Sequence, residues 1–429
     1  MKYNAYYYKN CVTFASILLF SLGFFLPFAN QGPHVAGSIY ITPGLVIGVI
    51  APIYILVKRG IGLRFAYLLL MIIIFFILTF LRYPLESFYL SLSALFLLLL
   101  ILVVRMPHEY EINALFIGFQ VGLAVVVFII FVEIFSQIIG ADSVYLGVQR
   151  FFSDQRTIQN AHNHMVFYYR PYATFAEPAH LAYYLAFSYA TLDQVRSSGR
   201  SWLKYLTLLA IFLSGSMVGY VLLLVYLVSK KSSIVHNYGL MNLRLNIVKT
   251  LESLLLFSLL TILILFVFLY SDFFQTISER LVGRLSQVYE ALIGHNVGSS
   301  AGVRAGSWIV LLDYWRSNEF GAFLVGTGYA NYDTYMMEYY RDSPYSTWAS
   351  GKLHSSAVVV LLSTGLVGSL SYLLFMFSVF RYFRQDKNLA VVTLVLFAHF
   401  ASGALLSYVQ WQIMFVLLLA RNFNLRKYN

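Results

Sequence analysis

Six residues in this chain have the types and spacing of a site for an anionic substrate: Arg170 and Glu177, then Arg280, Arg284 and Arg304, then His354. Arginine presents a planar, permanently charged fork that grips phosphate oxygens in pairs, which lysine cannot do. Arg280 and Arg284 are four apart, so on a helix they project together. Histidine titrates at about 6.5 when unperturbed, close to working pH, and therefore suits a general base. Glu177 is a second proton acceptor or a partner for a sugar hydroxyl. The set describes a binding face for a phosphate-bearing lipid with a base beside it. Each residue also has a plainer reading. Glu177 followed by Pro178 can cap a helix and face the positive end of its dipole, His354 can anchor a span at the membrane interface, and single arginines can hold lipid headgroups. Arg341 and Lys352 are weaker members of the same group.

The elements that must position these residues are set by hydropathy. The chain has 429 residues, is 60% hydrophobic and 11% charged, and has a mean hydropathy of +0.73. A water-soluble protein of this size has too little interior for that much apolar surface, so the expected solvent is a bilayer. Apolar runs fall at 12–29, 41–57, 65–81, 88–104, 112–139, 179–191, 202–213, 217–228, 251–270, 355–380, 389–402 and 406–420. A helix needs about 20 residues to cross the hydrocarbon, so the shorter runs draw their polar or Tyr-rich flanks into the interface. The stretches 202–228 and 389–420 each fit a tight hairpin or one long helix. Ser214-Gly215-Ser216 and Ser402-Gly403 favour hairpins, because they supply turn chemistry in the middle.

The expected fold is all-α: a polytopic integral membrane protein of about twelve transmembrane helices with a large helical extracytoplasmic loop. Residues 1–139 carry the N-terminal spans, 140–178 a first outer loop, 179–270 the central spans, 271–353 the large outer loop, and 354–429 the C-terminal spans. Charge supports this division. Lys58, Arg59, Arg64, Arg105, Arg196, Arg200, Lys230, Lys231, Arg381, Arg384, Arg421 and Arg426 fall on one side, which the positive-inside rule makes cytoplasmic, with both termini. On the opposite side nine of the ten basic residues are arginine, against ten arginines and nine lysines inside.

The net charge of +11 is therefore mostly a topology signal, and no cytoplasmic stretch is long enough for a nucleic-acid domain. The single cysteine, Cys11, excludes an internal disulfide. His162, His164 and His180 lack a companion ligand set, so no metal site is expected. Lys2 and Lys9 precede a first span expected to stay uncleaved.

Within the large loop, Ile277, Leu281, Leu285, Val288 and Leu292 recur at helical spacing and predict an amphipathic helix over 276–293. A Gly/Ser-rich break at 298–302 separates it from a second helical run over 303–315, which begins at Arg304. Gly326-Thr327-Gly328 then turns the chain, and a Tyr-rich segment leads to His354. The tyrosines suit sugar stacking, because each ring joins an apolar face to a polar tip.

Four ordered patterns carry a family resemblance. They are Arg170-x4-Phe175-x-Glu177-Pro178-x3-Ala182; Ser214-Gly215-Ser216-x2-Gly219; the run from Arg304 to Gly326-Thr327-Gly328-Tyr329; and His354 followed by Ser363-Thr364-Gly365-x2-Gly368. In order, spacing and placement of a large outer loop before a late span, the chain resembles the O-antigen polymerase and ligase superfamily from about Arg170 to Arg381. The first spans resemble it only in hydropathy. Two departures matter. Ligases of that family usually carry an Asn-type residue where this chain has Glu177, which turns the expectation towards a polymerase. Met217 stands where relatives often carry an arginine, so no role passes to that position.

The resemblance implies a glycosyltransferase of the bacterial cytoplasmic membrane that needs neither metal nor cofactor. It implies a growing saccharide on polyprenyl diphosphate as donor and a lipid-linked repeat unit as acceptor. Arg170 and Arg304 first, then Arg280 and Arg284, are the expected diphosphate ligands; His354 is the expected base, with Glu177 second. A chain-length regulator and a flippase of the same pathway are the expected protein partners, and nucleic acid is not. The alternatives are a ligase, which differs in its acceptor, a scaffold or length regulator of the assembly complex, and a flippase or transporter. Transporters usually show internal repeats and buried ionisable residues, whereas Glu133 is the one ionisable residue placed deep in a span here.

Overall fold

The computed structural model describes residues 14–28, 34–36, 39–40, 43–59, 109–152, 171, 173–175, 178–194, 201–238, 282–283, 286, 289–290, 308, 311–316, 320–327, 357–358, 361–362, 365–370, 373–374, 377 and 394. Its helices are α1 (Phe14–Phe25), α2 (Pro43–Arg59), α3 (Glu109–Ile138), α4 (Asp142–Phe152), α5 (Pro178–Gln194), α6 (Ser201–Leu213), α7 (Met217–Tyr238) and α8 (Phe320–Val325). Between α1 and α2 lies a short antiparallel pair, β1 (His34–Ala36) and β2 (Ile39–Tyr40), with His34 opposite Tyr40. The fold is otherwise helical among the described residues. The expected spans at 65–81, 88–104, 251–270 and 406–420 lie outside them, as does 389–402 apart from residue 394.

The chain divides into two compact units. The first comprises Met1–Ile74, Tyr89–Leu223 and Leu406–Asn429, and its frame is the pair α1 and α3. At about 1.5 Å per residue, the 30 residues of α3 reach past a hydrocarbon layer of about 30 Å. By length and composition, Tyr110–Ile138 is the one described helix able to cross a membrane; Phe14–Phe25, Trp202–Leu213 and Val218–Lys230 are shorter apolar helices. Ile112, Phe119, Val126 and Glu133, seven apart, form a buried stripe along α3, and Leu115, Leu123 and Ile130 widen it. Leu19, Leu22 and Leu26 of the first segment are equally buried. Ile117, Val121, Phe128 and Phe135 lie exposed on another face of α3, Phe128 to 67%.

Backbones meet where α1 crosses α3. A Cβ added to Gly118 would collide with the Phe20 carbonyl oxygen, and one on Gly23 with that of Leu115. With Gly122, Gly118 makes the small-x3-small spacing that lets helices approach this closely.

A six-to-one and a five-to-two hydrogen bond close the C-terminus of α3. Ala141 N–H donates to Ser136 O at 2.7 Å and Gly140 N–H to Gln137 O at 3.1 Å, with Gly140 at a φ of 72°. This is a Schellman cap, and it turns the chain directly into α4. In place of the expected loop, this stretch is an eleven-residue helix whose Tyr145 is buried while Val144 is exposed.

From residue 181 to 192, helix α5 is buried on every face. Its junction to α6 is closed by an ion pair, Lys204 Nζ to Asp193 Oδ1 at 2.5 Å. Buried hydroxyls are satisfied one turn back within their own helices, Thr191 donating to Phe187 O and Thr207 to Leu203 O.

The expected hairpin between α6 and α7 is present. A continuous helix would put Ile211 and Gly219 about 12 Å apart. Instead a Cβ on Gly219 would lie 3.4 Å from Ile211 Cγ2, and Tyr220 Oη donates to Phe212 O at 2.7 Å. Gly215, at a φ of 60°, makes the turn. The structure extends α7 to Tyr238, ten residues beyond the expected apolar run.

The second unit comprises Phe75–Phe88 and Leu224–Leu405. Here residues 311–316 are helical, with Leu311 and Tyr314 buried and Leu312 exposed. Trp315 meets Phe323 of α8 edge to face, with centroids 5.1 Å apart. Residues 282–283, 286 and 289–290 are helical too, as the amphipathic pattern predicts; Val282 and Tyr289 are exposed.

Candidate functional site

The six residues chosen for chemistry, Arg170, Glu177, Arg280, Arg284, Arg304 and His354, lie outside the described residues, as do Arg341, Lys352, the 298–302 break and the whole Tyr-rich segment. The structure does describe the motif positions that flank them.

In the first unit, the turn at 173–175, which leads into the Phe-x-Glu-Pro motif, is held from three directions. Ala173 N–H donates to the Glu133 carboxyl group, with Oε1 and Oε2 each at 3.1 Å. Thr174 Oγ1 donates to the Pro27 carbonyl at the end of the α1 segment. The Phe175 ring lies against that of Tyr184 on α5, centroids 5.3 Å apart. Ala173, Thr174 and Phe175 are all buried, and so is Pro171.

The backbone at this point is unusual. Ala173 has a φ of 46°, the one positive φ of a non-glycine among the described residues. For an L-residue that conformation costs about 1–2 kcal/mol. Burying a carboxyl group costs more, on the order of several kcal/mol unless it is well partnered. Glu133 is fully enclosed and its carboxyl group receives the amide of the strained residue, so the two costs are met at one contact. Three residues beyond Phe175, α5 begins at Pro178, the position expected for a proline in a first turn.

The second motif packs onto the first. A Cβ on Gly219 would stand 2.9 Å from Cβ of Ala182, the last position of the Arg170-to-Ala182 pattern. Ser214 Oγ donates to Ile211 O and receives Ser216 N–H, which fixes the turn before α7.

In the second unit, the third and fourth motifs pair in the same manner. Gly326 has a φ of 75°, and both the N–H and the Oγ1 of Thr327 donate to Leu362 O, at 2.8 and 3.2 Å. Gly365 of the Ser-Thr-Gly-x2-Gly pattern has a φ of 58°. A Cβ there would fall 2.5 Å from the Leu324 carbonyl carbon and 2.6 Å from Gly326 N. Ser369 Oγ then donates to Gly365 O at 2.6 Å. Gly365 thus permits a close backbone approach.

His180, in the first turn of α5, is exposed; His162 and His164 lie outside the described residues. Among the described residues no group of three His, Cys, Asp or Glu side chains is placed to share a metal ion. The residue that sequence reasoning undervalued is Glu133. Its signal was an ionisable side chain on the buried seven-residue stripe of an apolar helix, but its partner, Ala173, is forty residues away and carries no pattern of its own.

No known family model matches the chain, and no curated protein matches it significantly.

Proposed function

We propose that this chain is a multi-pass protein of the bacterial cytoplasmic membrane, with about twelve helices crossing the bilayer and both termini cytoplasmic. Its proposed reaction joins polyprenyl-diphosphate-linked oligosaccharide repeat units into a surface polysaccharide on the outer face of that membrane. The observation that carries this reading is the pairwise packing of the four motifs. Ala182 of the first touches Gly219 of the second, and the Gly326–Thr327 turn of the third is bonded to the segment opening the fourth. The exposed apolar stripe of α3 supports the membrane placement, since in water it would leave large side chains such as Phe128 and Phe135 unburied.

In the proposed reaction a hydroxyl of the acceptor sugar attacks the anomeric carbon of the donor. The new C–O bond forms as the bond to the diphosphate oxygen breaks, and polyprenyl diphosphate departs with the electron pair. The hydroxyl proton passes to His354, with Glu177 as the second candidate base. Arg170, Arg304, Arg280 and Arg284 neutralise the leaving diphosphate; preorganised donors of this kind contribute roughly 3 kcal/mol each to transition-state stabilisation. The tyrosines of the large loop stack on sugar rings. A chain-length regulator and a flippase of the same pathway are the proposed partners.

The test is a membrane preparation given lipid-diphosphate-linked repeat units without added metal. A ladder of chain lengths is the expected product. Transfer of units only to a separate acceptor would make the chain a ligase, and passage of unextended units across the bilayer would make it a transporter.

A further inference from the structure

We propose that Glu133 is a positioning residue for the transfer reaction, tethering the segment that carries Arg170 and Glu177; this rests on the glycosyltransferase reading. Glu133 is fully buried on the seven-residue stripe of α3, the longest described helix. Both of its carboxyl oxygens lie 3.1 Å from the N–H of Ala173. Ala173 stands three residues after Arg170 and four before Glu177, and its positive φ sets the direction in which the chain leaves on either side. Thr174 is bonded to the Pro27 carbonyl and Phe175 is packed on Tyr184, so the tether fixes one strained turn against α1, α3 and α5 together. A buried acid that holds a strained amide restricts the backbone on which Arg170 and Glu177 are carried, and catalytic groups displaced by about 1 Å can lose on the order of 100-fold in rate.

The role needs an acceptor oxygen at this point, which glutamine keeps and alanine or leucine removes. Two readings of the full-length protein in membranes test it. In the first, Cys11→Ser and Thr174→Cys place a single thiol at a buried position of the tethered turn, and a maleimide reports its exposure in permeabilised membranes. The thiol stays protected with Glu133 and with Glu133→Gln, and reacts about tenfold faster or more with Glu133→Ala, as the turn opens locally. Glu133→Leu, of similar volume but without an acceptor, gives the same result if the alanine variant fails to accumulate. In the second, with Thr174 intact, transfer of repeat units falls about 100-fold in kcat with Glu133→Ala or Glu133→Leu. Glu133→Gln stays within about threefold of wild type, and the donor KM moves little in all of them.

Equal protection of the thiol in every variant overturns the tether, whatever the transfer rates are. A released thiol with unchanged transfer overturns the positioning role. A released thiol, restored by glutamine, in a protein that transfers nothing even with Glu133 present keeps the tether and overturns the glycosyltransferase reading instead.

Discussion

At the scale of single residues, the turn at 173–175 concentrates the unusual chemistry of the described structure. Ala173 tolerates a φ of 46° because its side chain is one methyl group and its amide has a buried acceptor. Ala173→Val adds a β-branch at a positive φ in a fully buried position, and is expected to destabilise the protein by about 2–4 kcal/mol. Thermal unfolding in detergent measures this; an unchanged midpoint would mean that the turn is not strained. Thr174→Val removes the hydroxyl that donates to Pro27 and is expected to cost about 1 kcal/mol, seen as a smaller shift in the same experiment. The sequence made Glu133 visible as an ionisable residue among apolar ones, but not its use. A side-chain-to-backbone contact across forty residues follows from how α3 meets the loop, and no local periodicity encodes that.

At the scale of elements, hydropathy located α1, α2, α3, α5, α6 and α7 to within a few residues at most ends, because an apolar run bounded by polar residues is a direct image of a buried helix. It failed at α4, where the apolar residues are interleaved with polar ones and the run is short, and at the far end of α7, where Lys230, Lys231 and their neighbours continue the helix beyond the apolar part. The glycine contacts were half legible. Gly365 stood in a recognised pattern, whereas Gly23, Gly118 and Gly122 were read simply as part of apolar runs. The two motif pairs respond differently to the same change. Gly219→Ala pushes against the Ala182 methyl group, and small shifts relieve it, so the cost is about 1–3 kcal/mol. Gly365→Ala meets the backbone of Leu324 and Gly326 and keeps a positive φ, which no side-chain movement relieves. Gly365→Ala is therefore expected to lower the amount of folded protein in membranes well below that of Gly219→Ala. Monodisperse yield after detergent extraction compares them, and equal yields would contradict the contact at Gly365.

At the scale of the whole molecule, the composition stated the solvent, and the exposed faces of α1, α3 and α6, bearing residues such as Phe14, Phe128 and Trp202, fit it. Alkaline carbonate is expected to leave the protein in the membrane pellet, with detergent alone releasing it; release by carbonate would remove the membrane placement and the proposed reaction with it. The chemistry is less legible than the solvent, because Arg170, Glu177, Arg304 and His354 each fit a plain anchoring or capping role, and only their flanking motifs meet in the described structure. The most direct measurement compares chain lengths made from lipid-diphosphate-linked repeat units by membranes holding wild type, His354→Ala or Arg304→Ala. Wild type is expected to give a ladder, while His354→Ala and Arg304→Ala lose about 100-fold or more in rate and leave single units. A full ladder from both His354→Ala and Arg304→Ala would contradict the proposed site.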